Sequence, residues 1–147
     1  MFDIRSIVCP IDFSAGSDRA MAHAMALAAK YGAEVHLVHV CPLDIFAGPD
    51  GGLLTPEVVA KISKDSHAAL ERLAEANRSP ERAVHVHVVA GFAADEITRL
   101  ATRVSADLIV VGTHGRTGLK LLLLGSVTEQ IVRTSTIPVL TVRLPQS

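Results

Sequence analysis

The sequence predicts an α/β fold: a single open, doubly wound sheet of five parallel strands with helices on both faces. Short apolar, β-branched segments alternate with longer segments of helical periodicity along the chain. The composition, 49% hydrophobic and 20% charged over 147 residues, is that of one globular domain with a single core. Strands separated by helices favour parallel pairing with right-handed crossovers, so ligands belong at the carboxyl ends of the strands.

The first half of the chain carries two strand–helix units. Residues 4–11 are apolar and β-branched and end at Asp12, which indicates a buried strand. Ser17 is placed to cap the next helix, and Gly32 ends that helix by supplying a left-handed residue. Thr55 followed by Pro56 favours a helix start, because proline at the first helical position loses no needed N–H. We expect strands at 4–11 and 34–40, helices at 17–31 and 55–77, and a mobile loop at 41–55.

The second half repeats the alternation and ends on a strand. Gly91 is expected to turn the third strand into the following helix. Residues 107–112 are the most apolar strand candidate, as expected for a central strand that is covered on both faces. We expect strands at 83–90, 107–112 and 139–143, and helices at 94–104 and 126–134.

Charge and cysteine usage exclude several classes of protein. Fourteen basic and fifteen acidic residues leave a net charge of −1, which offers no overall field for nucleic acid or anionic lipid. No apolar run approaches the roughly 20 residues of a bilayer span, and the amino terminus lacks a signal-peptide core. We therefore expect a cytoplasmic protein that binds neither nucleic acid nor membranes. Cys9 and Cys41 are expected to remain thiols there, and a disulfide between adjacent strand ends is the less favoured alternative.

A glycine-rich segment lies between the fourth strand and the last helix. It has the pattern Gly-x-x-Gly, nine residues, Gly-Ser, from Gly112 to Ser126. Glycines let backbone N–H groups approach an anion closely, and a helix N-terminus adds partial positive charge, so the segment predicts a phosphate site. Ser126 is placed either to cap the helix or to donate its hydroxyl to phosphate, and Arg116 to add a bidentate contact. The leucine-rich run 119–124 either packs under this loop or covers a partner subunit.

The segment matches neither the Walker pattern nor the Rossmann pattern. Together with the strand end Pro10-Ile11-Asp12, the second strand ending at Val40 and the final segment 138–142, it resembles the universal stress protein family, in its ATP-binding branch. The resemblance covers the whole chain as one domain, 1–147. It implies an adenine nucleotide alpha hydrolase-like sheet in the order 3-2-1-4-5, with the nucleotide at the carboxyl ends of strands one and four. The exposed edge of the last strand and the resemblance both point to a homodimer through that strand.

The resemblance also implies which residues bind the nucleotide. Asp12 and Val40 would flank adenine and ribose, and the glycine-rich segment would surround ribose and phosphates, with Mg or Mn on the phosphates. An alternative is that Gly112 and Gly115 are only turn residues, and that Asp12 only caps the turn that follows it. The predicted nucleotide-binding residues are Pro10, Ile11, Asp12, Val40, Gly112, His114, Gly115, Arg116, Gly125, Ser126, Val127 and Thr128.

The sequence shows no assembled hydrolase motif. It has no Ser/His/Asp order, no HExxH and no evident carboxylate pair, and only His114 and Asp12 could act as acid or base near the phosphates. We therefore predict a regulatory, stress-response module that binds ATP with weak or no hydrolysis and has no assigned catalytic residue. The alternatives are a slow ATPase or nucleotidyl-transferring enzyme, and a partner-binding protein whose site is empty.

Histidines on the second and third strands carry a weaker signal. His85 and His87 lie two apart on one strand and could hold a transition metal. No third ligand is evident from the sequence, so a solvated face of an edge strand is the favoured interpretation. His36 and His39 are interpreted in the same way, and no metal site formed by protein side chains is predicted.

Overall fold

The computed structural model describes residues 2–42, 55–114 and 124–145. Strands and helices alternate along these ranges as the sequence predicts, and every strand and helix lies within a few residues of its expected position. The elements are β1 (Ser6–Pro10), α1 (Ala15–Tyr31), β2 (Glu34–Pro42), α2 (Pro56–Asn77), β3 (Val84–Gly91), α3 (Ala93–Arg103), β4 (Leu108–Gly112), α4 (Ser126–Thr134) and β5 (Val139–Val142).

The five strands form one parallel sheet in the order β3-β2-β1-β4-β5, which confirms the predicted topology. From β1 the chain adds strands on one side, then returns to place β4 on the other side of β1. The carboxyl ends of β1 and β4 therefore diverge into different helices at a topological switch point. In open α/β sheets, ligands bind in the crevice that such a point creates.

The core has one layer on each face of the sheet. Ile7 and Val110 pack with α1 and α2, whereas Val8, Ile109 and Val111 face α3 and α4. Alternate residues of the central strands are thus buried on opposite faces, which explains why the fourth strand is apolar throughout. Each fully buried aliphatic side chain contributes about 1.5–3 kcal/mol.

The helix ends follow local sequence signals, with one correction. Gly32 ends α1 at φ 69°, as predicted, and its N–H donates to the Ala28 carbonyl. The start at residue 17 is wrong: Ser14 is the N-cap, and its hydroxyl accepts the Ser17 N–H at 3.2 Å. Both serines satisfy the capping preference, and the earlier one is used because Ser17 is buried within the first turn.

The structure describes only the two ends of the segment that is predicted as a loop at 41–55. Cys41 and Pro42 belong to β2, which pairs with β3 as far as Gly91. The parallel partner extends the strand beyond Val40, where the prediction ended. Thr55 caps α2, as its sequence suggests, and residues 43–54 lie outside the described residues.

Both cysteines are buried free thiols. Cys9 lies opposite Leu37 in the β1–β2 register, and Cys41 is four residues further along β2. Four strand residues span about 13 Å, well beyond the separation of about 7 Å that a disulfide tolerates. Burial raises the pKa of the Cys9 thiol to about 12. The less favoured disulfide is therefore excluded.

None of the helices within 2–42, 55–114 and 124–145 is long and apolar enough to cross a membrane.

Candidate functional site

The predicted site residues that the structure describes gather where β1, β4 and α4 meet. Pro10 ends β1, Gly112 ends β4, and Gly125 immediately precedes α4. The two ends of the glycine-rich segment are joined, because the Gly125 N–H donates to the Thr113 carbonyl at 2.5 Å. The Thr113 N–H in turn donates to the Val142 carbonyl at 3.0 Å, which ties this junction to the last strand.

Thr128 fixes α4 against the end of β4. Its hydroxyl donates to the Gly112 carbonyl at 2.7 Å, and the side chain is buried. A buried hydrogen bond of this kind positions the first turn of the helix relative to the sheet. Thr128 therefore fixes the position and orientation of the start of α4 relative to the end of β4.

The N-terminus of α4 carries no side-chain cap. Gly125 is the N-cap at φ −66° and ψ 160°, and Ser126 is the first helical residue. The capping role considered for Ser126 is therefore wrong, because a cap must precede the helix. Ser126 and Val127 are exposed. The first-turn N–H groups of an α-helix have no intrahelical acceptor, so an uncapped start with an exposed first turn suits an anion.

The β1–α1 turn forms the opposite side of the crevice. The Asp12 carboxylate accepts the Ser14 N–H at 3.0 Å and also contacts the Ser14 hydroxyl, while the Asp12 N–H donates to Ser17 Oγ at 3.3 Å. The turn-capping role considered for Asp12 is thus present. Phe13 adopts φ 63°, and its ring lies 4.8 Å from that of His39. Strained backbone of this kind concentrates at functional turns.

Two glycines bring the two sides into backbone contact. A Cβ on Gly112 would lie 2.8 Å from the Gly16 carbonyl oxygen, and a Cβ on Gly16 would overlap the His114 carbonyl oxygen. Only glycine at both positions lets the first turn of α1 approach the end of β4 so closely. Sequence reasoning missed Gly16, because a helix predicted to begin at residue 17 leaves Gly16 in the preceding turn.

The interpretation of His39 as a residue on a solvated strand face is wrong, because β2 lies between β3 and β1 in the sheet. His39 is buried, and its Nδ1 lies 2.7 Å from the Ile11 carbonyl oxygen. The Ile11 N–H donates to the Val38 carbonyl at 2.8 Å, so β2 holds the end of β1 from two directions. The side chains of Ile11 and Val40 are buried in opposite core layers. Backbone hydrogen bonds and side-chain packing thus hold the end of β1 in place beside β2.

The remaining predicted ligands are only partly described. Thr113 Oγ1 lies 3.0 Å from Nδ1 of His114, and Thr113 is fully buried. His114 is therefore anchored beside the junction. Gly115 and Arg116 lie outside the described residues, as does the leucine run except for Leu124.

A separate open groove of about 580 Å³ runs between α3 and the segment after α4. Arg99, Arg103 and Ser135 are among the residues that line it. None of the predicted site residues does so. The backbone contacts at the switch point explain the glycine positions and the groove does not, so the candidate site lies at the switch point.

Comparison with known proteins identifies the family. The model of the Universal stress protein family matches residues 3–143. Universal stress protein MJ0531 of Methanocaldococcus jannaschii is 35% identical over 97% of this chain and 84% of that relative. The solved structure of MJ0577 from the same organism has a TM-score of 0.87 at 30% identity, over 98% of this chain and 99% of that chain. A crystal structure of a universal stress protein in complex with cAMP has a TM-score of 0.65 at 26% identity, over 96% and 98% of the two chains.

The family match extends over nearly the whole chain, and the sheet order agrees with the solved relatives. The resemblance inferred from the glycine-rich segment and the strand ends is thereby confirmed. The chain belongs to the universal stress protein family.

Proposed function

We propose that the protein binds an adenine nucleotide, ATP, in the crevice between the carboxyl ends of β1 and β4, and acts as a nucleotide-dependent regulatory module. One observation carries the proposal. The glycine pair Gly16 and Gly112 presses the β1–α1 turn against β4, beside a helix N-terminus that has no side-chain cap. The cAMP complex of a related family member supports an adenine nucleotide as the class of ligand.

The phosphates would lie at the start of α4. Its first-turn N–H groups and helix dipole offer partial positive charge without a lysine. Gly115 and Arg116 follow His114 in the sequence and are proposed to complete the phosphate contacts. Asp12 and Val40 would contact ribose and adenine. Mg or Mn would be held mainly by the phosphates and would neutralise part of their charge.

Hydrolysis is proposed to be weak or absent. P-loop enzymes and kinases use a lysine at the phosphates and a residue that positions the attacking nucleophile. Among the described residues that are predicted to contact the nucleotide, only His114 and Asp12 carry a group that could act on a water. Each already has a partner, Thr113 for His114 and Ser14 for Asp12. A slow ATPase therefore remains the second candidate, and turnover assays with Mg and purified protein separate the two.

We also propose a homodimer through β5 in the cytoplasm. In the described part of the chain, β5 pairs with β4 alone, so its other edge is open to a second copy. Leu140 on this strand is 38% exposed, and Leu144, two residues after β5, is a second exposed apolar side chain. An open edge flanked by apolar side chains suits an isologous contact.

The nucleotide site is tested by Gly125→Val, with ATP, ADP and AMP titrated calorimetrically into nucleotide-free protein. Gly125 has φ −66°, which valine adopts without strain, so the variant should fold. Its branched side chain would occupy the space in front of the α4 amides. We expect ATP affinity to fall at least about tenfold, or 1.4 kcal/mol, and the preference among the three nucleotides to flatten.

Ser126→Ala provides a graded comparison. Because the backbone donors remain, we expect a smaller loss of about 0.5–1.5 kcal/mol. A folded Gly125→Val protein that binds ATP like the parent would place the site elsewhere. Absence of nucleotide binding by the parent would instead favour a partner-binding protein.

A further inference from the structure

We propose that Glu34, His36 and His85 form a binding site for a divalent first-row transition metal ion, with Zn²⁺ as the expected occupant. The three side chains lie on neighbouring strands, near the amino-terminal ends of β2 and β3. They are on the face of the sheet that α3 covers. The site is independent of the proposed nucleotide site.

The strand register brings the donors together. His36 lies directly opposite His85 in the β2–β3 pairing, and Glu34 is two residues before His36 on the same face. Glu34 bridges both rings: Oε1 lies 3.1 Å from Nε2 of His36, and Oε2 lies 3.1 Å from Nε2 of His85. The two imidazole rings stack with centroids 4.5 Å apart. The carboxylate of Glu34 and one ring nitrogen of each histidine therefore lie close together.

The separations suit a small metal ion after minor adjustment. The three donor atoms lie within 4.8 Å of one another. Donors in a tetrahedral zinc site with bonds of about 2.0–2.1 Å are about 3.4 Å apart. Glu34 and His85 have side chains 42% and 45% exposed, so they can move to close the difference, whereas His36 is held in place by burial. Two histidines and a glutamate leave one position of a tetrahedral ion open for water.

His87 is suited to orient His36. Its Nε2 lies 3.0 Å from Nδ1 of His36, the ring nitrogen that does not face Glu34. Metal-ligating histidines usually bond through the second ring nitrogen to a partner that fixes ring orientation. A proton on Nδ1 of His36, donated to His87, leaves Nε2 free to bind metal. His87 is therefore assigned as a positioning residue rather than as a ligand.

The surroundings are compatible with a cation. Glu34 is the carboxylate that would compensate part of the charge of the ion. Ser6 pairs with Glu34 in register, and its buried Oγ has no hydrogen-bond partner among the described residues. This hydroxyl lies on the same face of the sheet as the Glu34 side chain.

The ligand set selects the class of metal and separates it from any ion on nucleotide phosphates. Imidazole favours Zn²⁺, Cu²⁺ or Ni²⁺, whereas Mg²⁺ prefers oxygen ligands. His36 and Val40 are four residues apart on β2, so the cluster lies about 13 Å from the nucleotide edge along the strand. Both sites can therefore be measured separately in one protein.

The test is Zn²⁺ titration of chelator-treated, nucleotide-free protein in competition with a chromophoric chelator, with Co²⁺ absorption as the probe of geometry. We expect one ion per chain and visible bands of tetrahedral intensity. His85→Ala should weaken binding more than about 100-fold, and His87→Gln by about 10–100-fold. His67→Ala, an exposed histidine on α2, is the matched control and should bind like the parent.

Thermal melts and ATP titration of each variant show that the fold and the other site are retained. Failure of the parent to bind an equimolar ion would overturn the proposal. Equal affinities for His85→Ala and His67→Ala would also overturn it. Because no nucleotide is present, neither result depends on whether the protein binds ATP.

Discussion

Gly112→Ala tests whether the contact between the β1–α1 turn and β4 shapes the proposed nucleotide site. The new Cβ would lie 2.8 Å from the Gly16 carbonyl oxygen and 2.9 Å from its carbonyl carbon. Ordinary contacts of a Cβ begin at 3.4 Å. Both neighbouring atoms are backbone, so no side-chain rotation relieves the overlap. The turn and the strand end must separate by the difference between 2.8 and 3.4 Å, which is about 0.6 Å.

Overpacking of this size costs about 1–3 kcal/mol. In a domain of this length each kcal/mol lowers the Tm by about 2–4 °C, so we expect a decrease of about 2–12 °C. A nucleotide that contacts both the β1–α1 turn and the end of β4 would then keep its contact distances to only one of them. We expect ATP affinity to fall about tenfold, equivalent to 1.4 kcal/mol.

Gly32→Ala is the matched control, measured by the same thermal melts and calorimetric titration. Because Gly32 has φ 69°, alanine at this position costs backbone strain of about 1–2 kcal/mol. Its Cβ would have nothing within 4 Å, and the position, at the end of α1, is far from the crevice. Its ATP affinity should equal that of the parent. The reasoning fails if Gly112→Ala binds ATP as the parent does, or if both variants lose affinity equally.

Three further outcomes are expected. Thr128→Val keeps the shape but removes the donor to Gly112, so urea unfolding should show about 1–3 kcal/mol lower stability, and an unchanged midpoint would contradict the role of that bond. The raised pKa of Cys9 means that above pH 9 the unfolded chain releases a proton that the folded chain keeps. Stability should therefore fall as pH rises from 9 towards 12, by up to about 1.4 kcal/mol per pH unit, and Cys9→Ala should show a shallower fall in parallel melts. Leu140→Lys should convert the proposed dimer to a monomer in sedimentation, whereas a parent that already sediments as a monomer at micromolar concentration refutes the β5 interface.

The sequence predicted every strand and helix of the described fold because local signals and the hydrophobic pattern agree. Gly32 and Thr55 act where the sequence places them, since left-handed φ and helix capping are local properties. The start of α1 was missed because Ser14 and Ser17 both satisfy the capping preference, and burial decides between them. Helix caps and left-handed glycines can therefore be predicted from the sequence. Where two residues satisfy the same capping preference, packing decides which of them is the cap.

The candidate site was predictable in its position but not in its internal contacts. The glycine-rich segment indicates a crevice at β4, whereas the approach of Gly16 depends on the order of the strands. The histidine cluster shows the same limit. No third ligand for His85 is evident from the sequence, because Glu34 and His36 are about 50 residues earlier and meet it only through the β2–β3 register. Contacts across strands require a register that composition and periodicity do not supply.

The hydrogen bond that joins the two ends of the glycine-rich segment affects how the sequence of such a protein can diverge. Thr113 and Gly125 are hydrogen-bonded to each other, and Thr128 secures α4 to β4 just behind them. We therefore expect changes within residues 115–123 to leave the sheet register and the position of α4 unchanged, because contacts outside this range hold both. For a flexible segment whose two ends are held together, doubling the length costs only about 0.6 kcal/mol in closure entropy. Ligand preference can thus evolve in this segment while the stability of the domain stays nearly constant.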